Sequence, residues 1–398
     1  MSKTDAVRSR HAHRPPIDHA APRDGAETFG VTDPEIVLEL RTDPGESGVI
    51  RAVIRSPRGD RTAWFGTDDV PLRQDATPFV PAALLTAMRN RARLVVDGEV
   101  SPRLLANLPG VQRMFCVIRP RWRVVEVRAE RAAPATPGTG VASFISMGLD
   151  SLSLAIRRRE ELTHLLMLRG FGSEPPSATA RIERGARELA ERDGKQLILV
   201  NCNPRELARG VAGWTRFHGA ALAGAVHAVS PAVGTAVIAA SMWHQEMTTY
   251  PSNPVLDPLW SSEETQVVHE GTELTRTEKA ISIACDELAM RYLHPCFVAT
   301  GDQYNCGKCG KCQRTMACLR AAGVIDAPAF DHPLDLSLLA SQPGTIPVMD
   351  AIYREQLWGA LTFAPDDTEL IDSVRATLIP PRSRLARLRR RVQKRRAV

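Results

Sequence analysis

The sequence predicts an α/β fold, a parallel sheet with flanking helices, preceded by a small α+β domain and carrying a four-cysteine metal knuckle. Three observations predict it. From about residue 141 onward, short apolar runs alternate with helical patterns, which is how βαβ units read. Residues before about 131 pattern instead as an antiparallel sheet with two helices. The chain has 398 residues, 43% hydrophobic and 24% charged, enough for two domains and a sizeable core.

Residues 1–28 are polar with little apolar pattern and read as disordered. The first domain, 29–131, opens with EIVLELRT, VIRAVIRS and RTAWFG as strands, the last two separated by a Pro/Arg/Gly/Asp turn. A helix is expected over Pro81–Arg93, with proline in its first turn. Ser101 caps a second helix that begins at Pro102. Arg121–Glu130 then closes the unit as a strand. Residues 132–140 form a Pro/Gly/Thr linker.

The second domain, 141–325, starts with the strand VASFIS, a turn MGLDS and a helix. THLLMLRGF, KQLILVNCN and PAVGTAVIAAS are the next strands, with helices between. On such a sheet ligands bind at the carboxyl ends of strands. That rim would hold Ser146–Ser151, Arg169–Gly172, Asn201–Asn203 and Ser241–Gln245. Thr275 and Glu278 have capping-box spacing ahead of a helix. A helical extension, 326–380, and a basic tail, 381–398, complete the chain.

Charge and apolar runs exclude some functions. The segment Arg382–Val398 carries nine Lys/Arg and no acid, so the remaining body has 42 basic against 45 acidic residues. A nucleic-acid enzyme usually carries its positive charge on the folded body, so nucleic acid is not the favoured partner. The longest apolar stretch, Gly219–Trp243, is broken by His227, Ser230 and Pro231, and no apolar leader opens the chain. A cytoplasmic protein without a transmembrane segment is expected, as a homo-oligomer.

Two constellations carry chemistry. Ser146-Met147-Gly148-Leu149-Asp150-Ser151 lies between a strand and a helix. Such a turn aims backbone N–H groups and a helix N-terminus at one point, with hydroxyls alongside, an arrangement suited to phosphate. The bland alternative is that Ser146, Asp150 and Ser151 only cap the helix. The other is Cys296, Cys306, Cys309 and Cys312, spaced C-x9-C-x2-C-x2-C. Four thiolates suit a closed structural zinc site; a [4Fe–4S] cluster is the rival. In a reducing compartment clustered thiols read as ligands rather than disulfides. Cys116, Cys202, Cys285 and Cys318 read as core.

The Ser146–Ser151 segment resembles the Ser-Gly-Gly-x-Asp-Ser loop of the PP-loop ATP pyrophosphatases, the adenine nucleotide α-hydrolases. It departs at the second position, where Met147 replaces glycine. Taken with the late cysteine cluster, the chain resembles the 7-cyano-7-deazaguanine synthases of that superfamily, over about residues 142–323. Tyr250-Pro251 matches a Tyr-Pro segment there. Arg169–Gly172 and Ser252–Pro254 do not match the corresponding stretches.

The resemblance implies a Rossmann-like PP-loop fold, ATP with Mg²⁺, and zinc. It implies AMP-forming activation of a small-molecule carboxylate or amide, followed by attack of ammonia or a sulfur donor, with carbon–nitrogen bond formation favoured. Ser146, Gly148, Asp150 and Ser151 would bind the nucleotide, and Asp150 and Arg314 would serve catalysis. Two alternatives stand beside this reading: a tRNA-modifying PP-loop enzyme such as a thiolase, and a non-catalytic nucleotide- or zinc-binding module. Lys279 is read as surface, His244 as structural with a possible acid–base role, and Trp243, Trp260 and Tyr250 as core or pocket lining.

Overall fold

The computed structural model describes residues 34–41, 48–133, 136–342 and 346–378. The expected disordered segment 1–28 and the basic tail 381–398 lie outside the described residues.

Ten strands form one sheet. Its first half contains β1 (Glu35–Arg41), β2 (Val49–Arg55), β3 (Arg61–Gly66), β4 (Arg93–Val100) and β5 (Val127–Arg131). The second half contains β6 (Gly140–Phe144), β7 (His164–Arg169), β8 (Gln196–Cys202), β9 (Val233–Ala239) and β10 (Gln266–Glu270). The order across the sheet is β5-β4-β1-β2-β3-β8-β7-β6-β9-β10. β1, β2 and β3 run as an antiparallel meander, while β4 and β5 lie parallel to β1. The five strands of the second half are all parallel.

The two halves join through one short antiparallel seam. Phe65 pairs with Cys202 and Gly66 with Asn201. Side chains extend it: Asn203 Nδ2 donates to the Thr62 carbonyl at 2.8 Å, and the Leu199 N–H donates to Asp69 Oδ2 at 2.7 Å.

The helices follow from capping and periodicity. α1 (Val80–Asn90) has proline in its first turn, and α2 (Pro102–Ile118) is capped by Ser101, whose Oγ accepts from the Leu104 N–H at 3.0 Å. α3 (Leu149–Arg157), α4 (Pro176–Arg192), α5 (Pro204–Ala208) and α6 (Trp214–Ala228) connect the parallel strands. α7 (Arg276–Ile283) begins with a complete capping box between Thr275 and Glu278. α8 (Glu287–Tyr292), α9 (Gly310–Ala321), α10 (Leu336–Ser341), α11 (Pro347–Phe363) and α12 (Thr368–Leu378) follow.

One face of the sheet packs on α1, α2 and α6 around Phe79, Phe115, Phe217 and Trp260. The other face of the second half packs on α3, α4 and α7–α9 around Leu152, Leu165, Leu189 and Ile283. Among the described residues, no helix covers the other face of the first half. In β2, Ile50, Ala52 and Ile54 are buried while Arg51, Val53 and Arg55 alternate outward, the pattern of a sheet covered on one side.

Several elements depart from the sequence reading. β4 and β10 carry no clean alternation: Asp97, Gly98 and Glu99 interrupt the first, and the second is five residues long. The strand expected over Arg121–Glu130 is confined to Val127–Arg131, because Trp122 and Val125 instead pack under α2. α10 was not anticipated. Among the described residues, no helix is long and apolar enough to cross a membrane.

Candidate anion site and metal centre

Numbering only the parallel strands by chain order, the sequence across them reads β8-β7-β6-β9-β10. The chain therefore reverses direction of growth between β6 and β9. At such a point the connections leave opposite faces of the sheet and open a crevice beyond the strand ends. Ser146–Ser151 leaves β6 at that crevice, and Ala240 and Ser241 leave β9 beside it.

The loop is internally braced. Ser151 Oγ donates to the Gly148 carbonyl at 3.0 Å, accepts from the Ser146 N–H at 3.2 Å, and lies 3.2 Å from Ser146 Oγ. Ser146 is exposed at the loop's mouth, whereas Ser151 is buried. The left-handed residue is Met147, with φ +56°; Gly148 has an ordinary φ of −76° and caps α3. Methionine thus occupies the position of this turn whose backbone favours glycine. The Met147 side chain is fully buried among Ile145, Leu149 and Leu152, so it anchors the turn in the core. Its carbonyl accepts from the His294 N–H at 2.6 Å.

Asp150, in the first turn of α3, faces two cations from the first turns of α7. Lys279 Nζ lies 3.2 Å from Asp150 Oδ1, and Arg276 Nη2 lies 3.3 Å from Oδ2. Lys279 Nζ also donates to the Ala240 carbonyl at 2.6 Å, and Arg276 to that of Ser241 at 3.2 Å. Asp150 therefore ties α3, α7 and the end of β9 together. Burial opposes its ionisation, but Arg276 and Lys279 outweigh burial and hold its carboxyl below the usual range. Asp150 and Arg276 still keep 20% and 19% of their side chains accessible, although desolvation is the largest influence on both. These groups are desolvated and still partly reachable by solvent.

Two more cations lie near these groups. Lys311, on α9, acts electrostatically on Asp150, Arg276 and Arg314, and Arg314, on the same helix, acts with Arg276. Lys311 lies over the Phe297 ring at 5.0 Å and Arg314 over the Tyr353 ring at 5.7 Å. Among the described residues neither forms a salt bridge. Burial lowers both pKa values, as expected for cations without a carboxylate partner. The Arg276 N–H donates to Glu355 Oε1 at 2.6 Å, and burial pushes that carboxyl up. The rings of Tyr250 and His218 meet at a tilt, 5.0 Å apart, near these groups, and burial takes the His218 imidazole down to about 4.

The four cysteines converge. The sulfurs of Cys296, Cys306, Cys309 and Cys312 all lie within 4.8 Å of one another. Four Zn–S bonds of about 2.3 Å in a tetrahedron require sulfurs about 3.8 Å apart, so the set fits a metal ion such as zinc. Backbone N–H groups point at the sulfurs: Cys309 to Cys306 at 3.3 Å, and Cys306 to Cys296 and Cys312 to Cys309 at 3.5 Å. Such donors stabilise thiolate charge. Cys309 also caps α9, so the knuckle is built onto the helix that carries Lys311 and Arg314.

The structure brings Ser146, Gly148, Asp150 and Ser151 to one rim, with Arg314 close enough to act on Arg276. It separates other expected groups. Arg169 pairs with Glu183 at 2.7 Å, and Asn201 and Asn203 serve the β3–β8 seam. His244 is exposed, Trp243 packs against Trp358 at 5.2 Å, and Trp260 is sealed against Phe115. Cys318 and Cys202 are buried, whereas Cys285 is exposed. Lys279 is not on the surface: its side chain is 3% accessible. Arg276 was missed altogether. A signal existed, since Arg276 and Lys279 put two cations into the start of a helix, where the dipole opposes them. Glu355 and Tyr353 gave none, because α11 reaches the site only through tertiary packing.

No protein-family model, curated protein or solved structure matches this chain.

Proposed function

We propose that the chain is an ATP-dependent, AMP-forming synthase of the PP-loop type. It would activate an oxygen of a small-molecule carboxylate or amide for attack by ammonia or a sulfur donor. One observation carries this reading: the Ser146–Ser151 loop stands where strand order reverses, opposite four cations, of which Asp150 pairs only two. A wall with that charge excess suits a polyphosphate. The order of the five parallel strands supports a Rossmann-like nucleotide fold.

In this reading Ser146 Oγ and the N–H groups at the start of α3 receive phosphate oxygens. Ser151 keeps the loop's shape. Asp150 positions Arg276 and Lys279, and Mg²⁺ enters with ATP. The substrate oxygen attacks the α-phosphorus, the bond to the bridging oxygen breaks, and pyrophosphate leaves with its electron pair. Arg276, Lys279 and Lys311 stabilise the charge that develops there. The nucleophile then displaces AMP. The four thiolates would hold zinc, which supplies structural closure of the α9 knuckle.

The test is chromatography of AMP and pyrophosphate from full-length protein incubated with Mg-ATP, candidate carboxylates and ammonium or sulfide. AMP that depends on one substrate and on Asp150 is expected. Absence of ATP binding would sink the reading in favour of a non-catalytic module. Turnover only with tRNA, weakening steeply with salt, would move it to the tRNA-modifying class.

A further inference from the structure

The metal knuckle and the anion loop are physically joined. A non-glycine residue in the left-handed region costs about 1–2 kcal/mol, so its surroundings must hold it there. Met147 is held twice: by its buried side chain and by the His294 N–H on its carbonyl at 2.6 Å. His294 is two residues from Cys296. The segment between knuckle and loop is fixed again by Asn305, whose Nδ2 donates to the carbonyls of Leu293 at 2.9 Å and Ala329 at 2.7 Å. From the other end of the knuckle, Cys309 and Cys312 flank Lys311, and Arg314 follows one turn into α9. Gln356 Nε2 donates to the Arg314 carbonyl at 2.8 Å and seats that turn.

We propose that the tetrathiolate centre is a positioning element of the anion site: it holds residue 147 through His294 and sets Lys311 and Arg314 toward a polyphosphate at the loop. The inference rests on the reading of Ser146–Ser151 as an anion site. Metal and anion then reinforce each other, because what binds one fixes the chain that binds the other. Such coupling is reciprocal by thermodynamic necessity.

The experiment is calorimetric titration of full-length protein with magnesium pyrophosphate, Mg²⁺ in excess, in zinc-loaded and zinc-depleted form. Far-UV circular dichroism monitors the fold. Zinc removal should weaken pyrophosphate binding on the order of 5- to 150-fold while the spectrum is kept. Lys311→Gln and Arg314→Gln should weaken it with zinc content unchanged. Magnesium pyrophosphate should in turn slow zinc release to a colorimetric chelator. Equal pyrophosphate affinity with and without zinc overturns the proposal. If zinc removal abolishes the spectrum, the decision passes to the release rates, and equal rates overturn it. Zinc-dependent pyrophosphate binding without AMP from any substrate leaves the coupling standing and removes the synthase reading. AMP formation with zinc-independent binding does the reverse. No pyrophosphate binding at all removes both.

Discussion

Two buried ionic clusters sit at opposite rims of the sheet, and they are built differently. At the amino ends of β9 and β10, Arg73 meets Asp75 and Glu264, each at 2.6 Å. Ser230 donates to Glu264 at 2.6 Å and the Thr77 N–H to Asp75 at 2.9 Å. Arg73 and Glu264 are 7% and 5% accessible, and Asp75 keeps 17%. At the carboxyl ends, Asp150 meets Arg276 and Lys279 at longer distances, with Lys311 and Arg314 nearby and without a salt bridge among the described residues. The first cluster sets two carboxylates on one guanidinium. The second sets one carboxylate between two cations, with two further cations nearby. Burial and ion pairing alone therefore do not distinguish the two; the sign of the excess does, and it is positive beside the Ser146–Ser151 turn.

The sharpest way to break this contrast is to disable each cluster and compare. Arg73→Met leaves two buried carboxylates facing each other and should cost about 3–5 kcal/mol of stability. Denaturant unfolding measures it, and pyrophosphate affinity of the folded fraction should not move. Asp150→Asn should behave oppositely. Its stability cost should be nearer 1–3 kcal/mol, because water and anions can serve the freed cations, while AMP formation falls about 10²- to 10³-fold. Equal stability losses in the two variants would erase the distinction.

Met147→Gly tests how the loop is held. Losing a buried methionine costs about 2–5 kcal/mol, and release from the left-handed region returns about 1–2 kcal/mol. A net loss of up to about 4 kcal/mol in thermal or denaturant unfolding is expected. A gain in stability would mean the side chain contributes little anchoring. Thr275→Ala removes the cap of α7 and should cost about 1 kcal/mol, with a matching small loss of pyrophosphate affinity as Arg276 and Lys279 loosen.

The smallest effect concerns pH. Asp150 is held below the carboxylate range, so its contribution is complete above the unfolded pKa near 3.9 and is lost as pH falls through the lower folded value. Acid unfolding of Asp150→Asn should be flatter than wild type below about pH 4. Identical acid limbs would show that Arg276 and Lys279 do not stabilise the charged form.

What the sequence revealed follows from the range of the interactions. The C-x9-C-x2-C-x2-C spacing is local, and its four sulfurs converge. The capping box at Thr275 and the cap at Ser101 are contacts within four residues, and both were legible. The Ser146–Ser151 turn was legible as a turn, but the strain on Met147 was not, since φ depends on what grips the residue from outside. Arg276, Glu355 and Tyr353 reach the site from elements far apart in the chain. Short strands such as β10 owe their state to the neighbour they pair with, so periodicity alone could not find them.

The seam between β3 and β8 has a kinetic consequence. Every other strand pairing lies within one half of the sheet, but the contact of Asn201 with the Gly66 carbonyl closes 135 residues of chain. Loop-closure entropy makes such a contact slow to form relative to local pairings. Both halves also share one core, in which Phe65 and Phe79 pack with Val200 and Phe217, so neither half can bury its apolar face before the other arrives. The seam and that core should therefore form in one late, cooperative step.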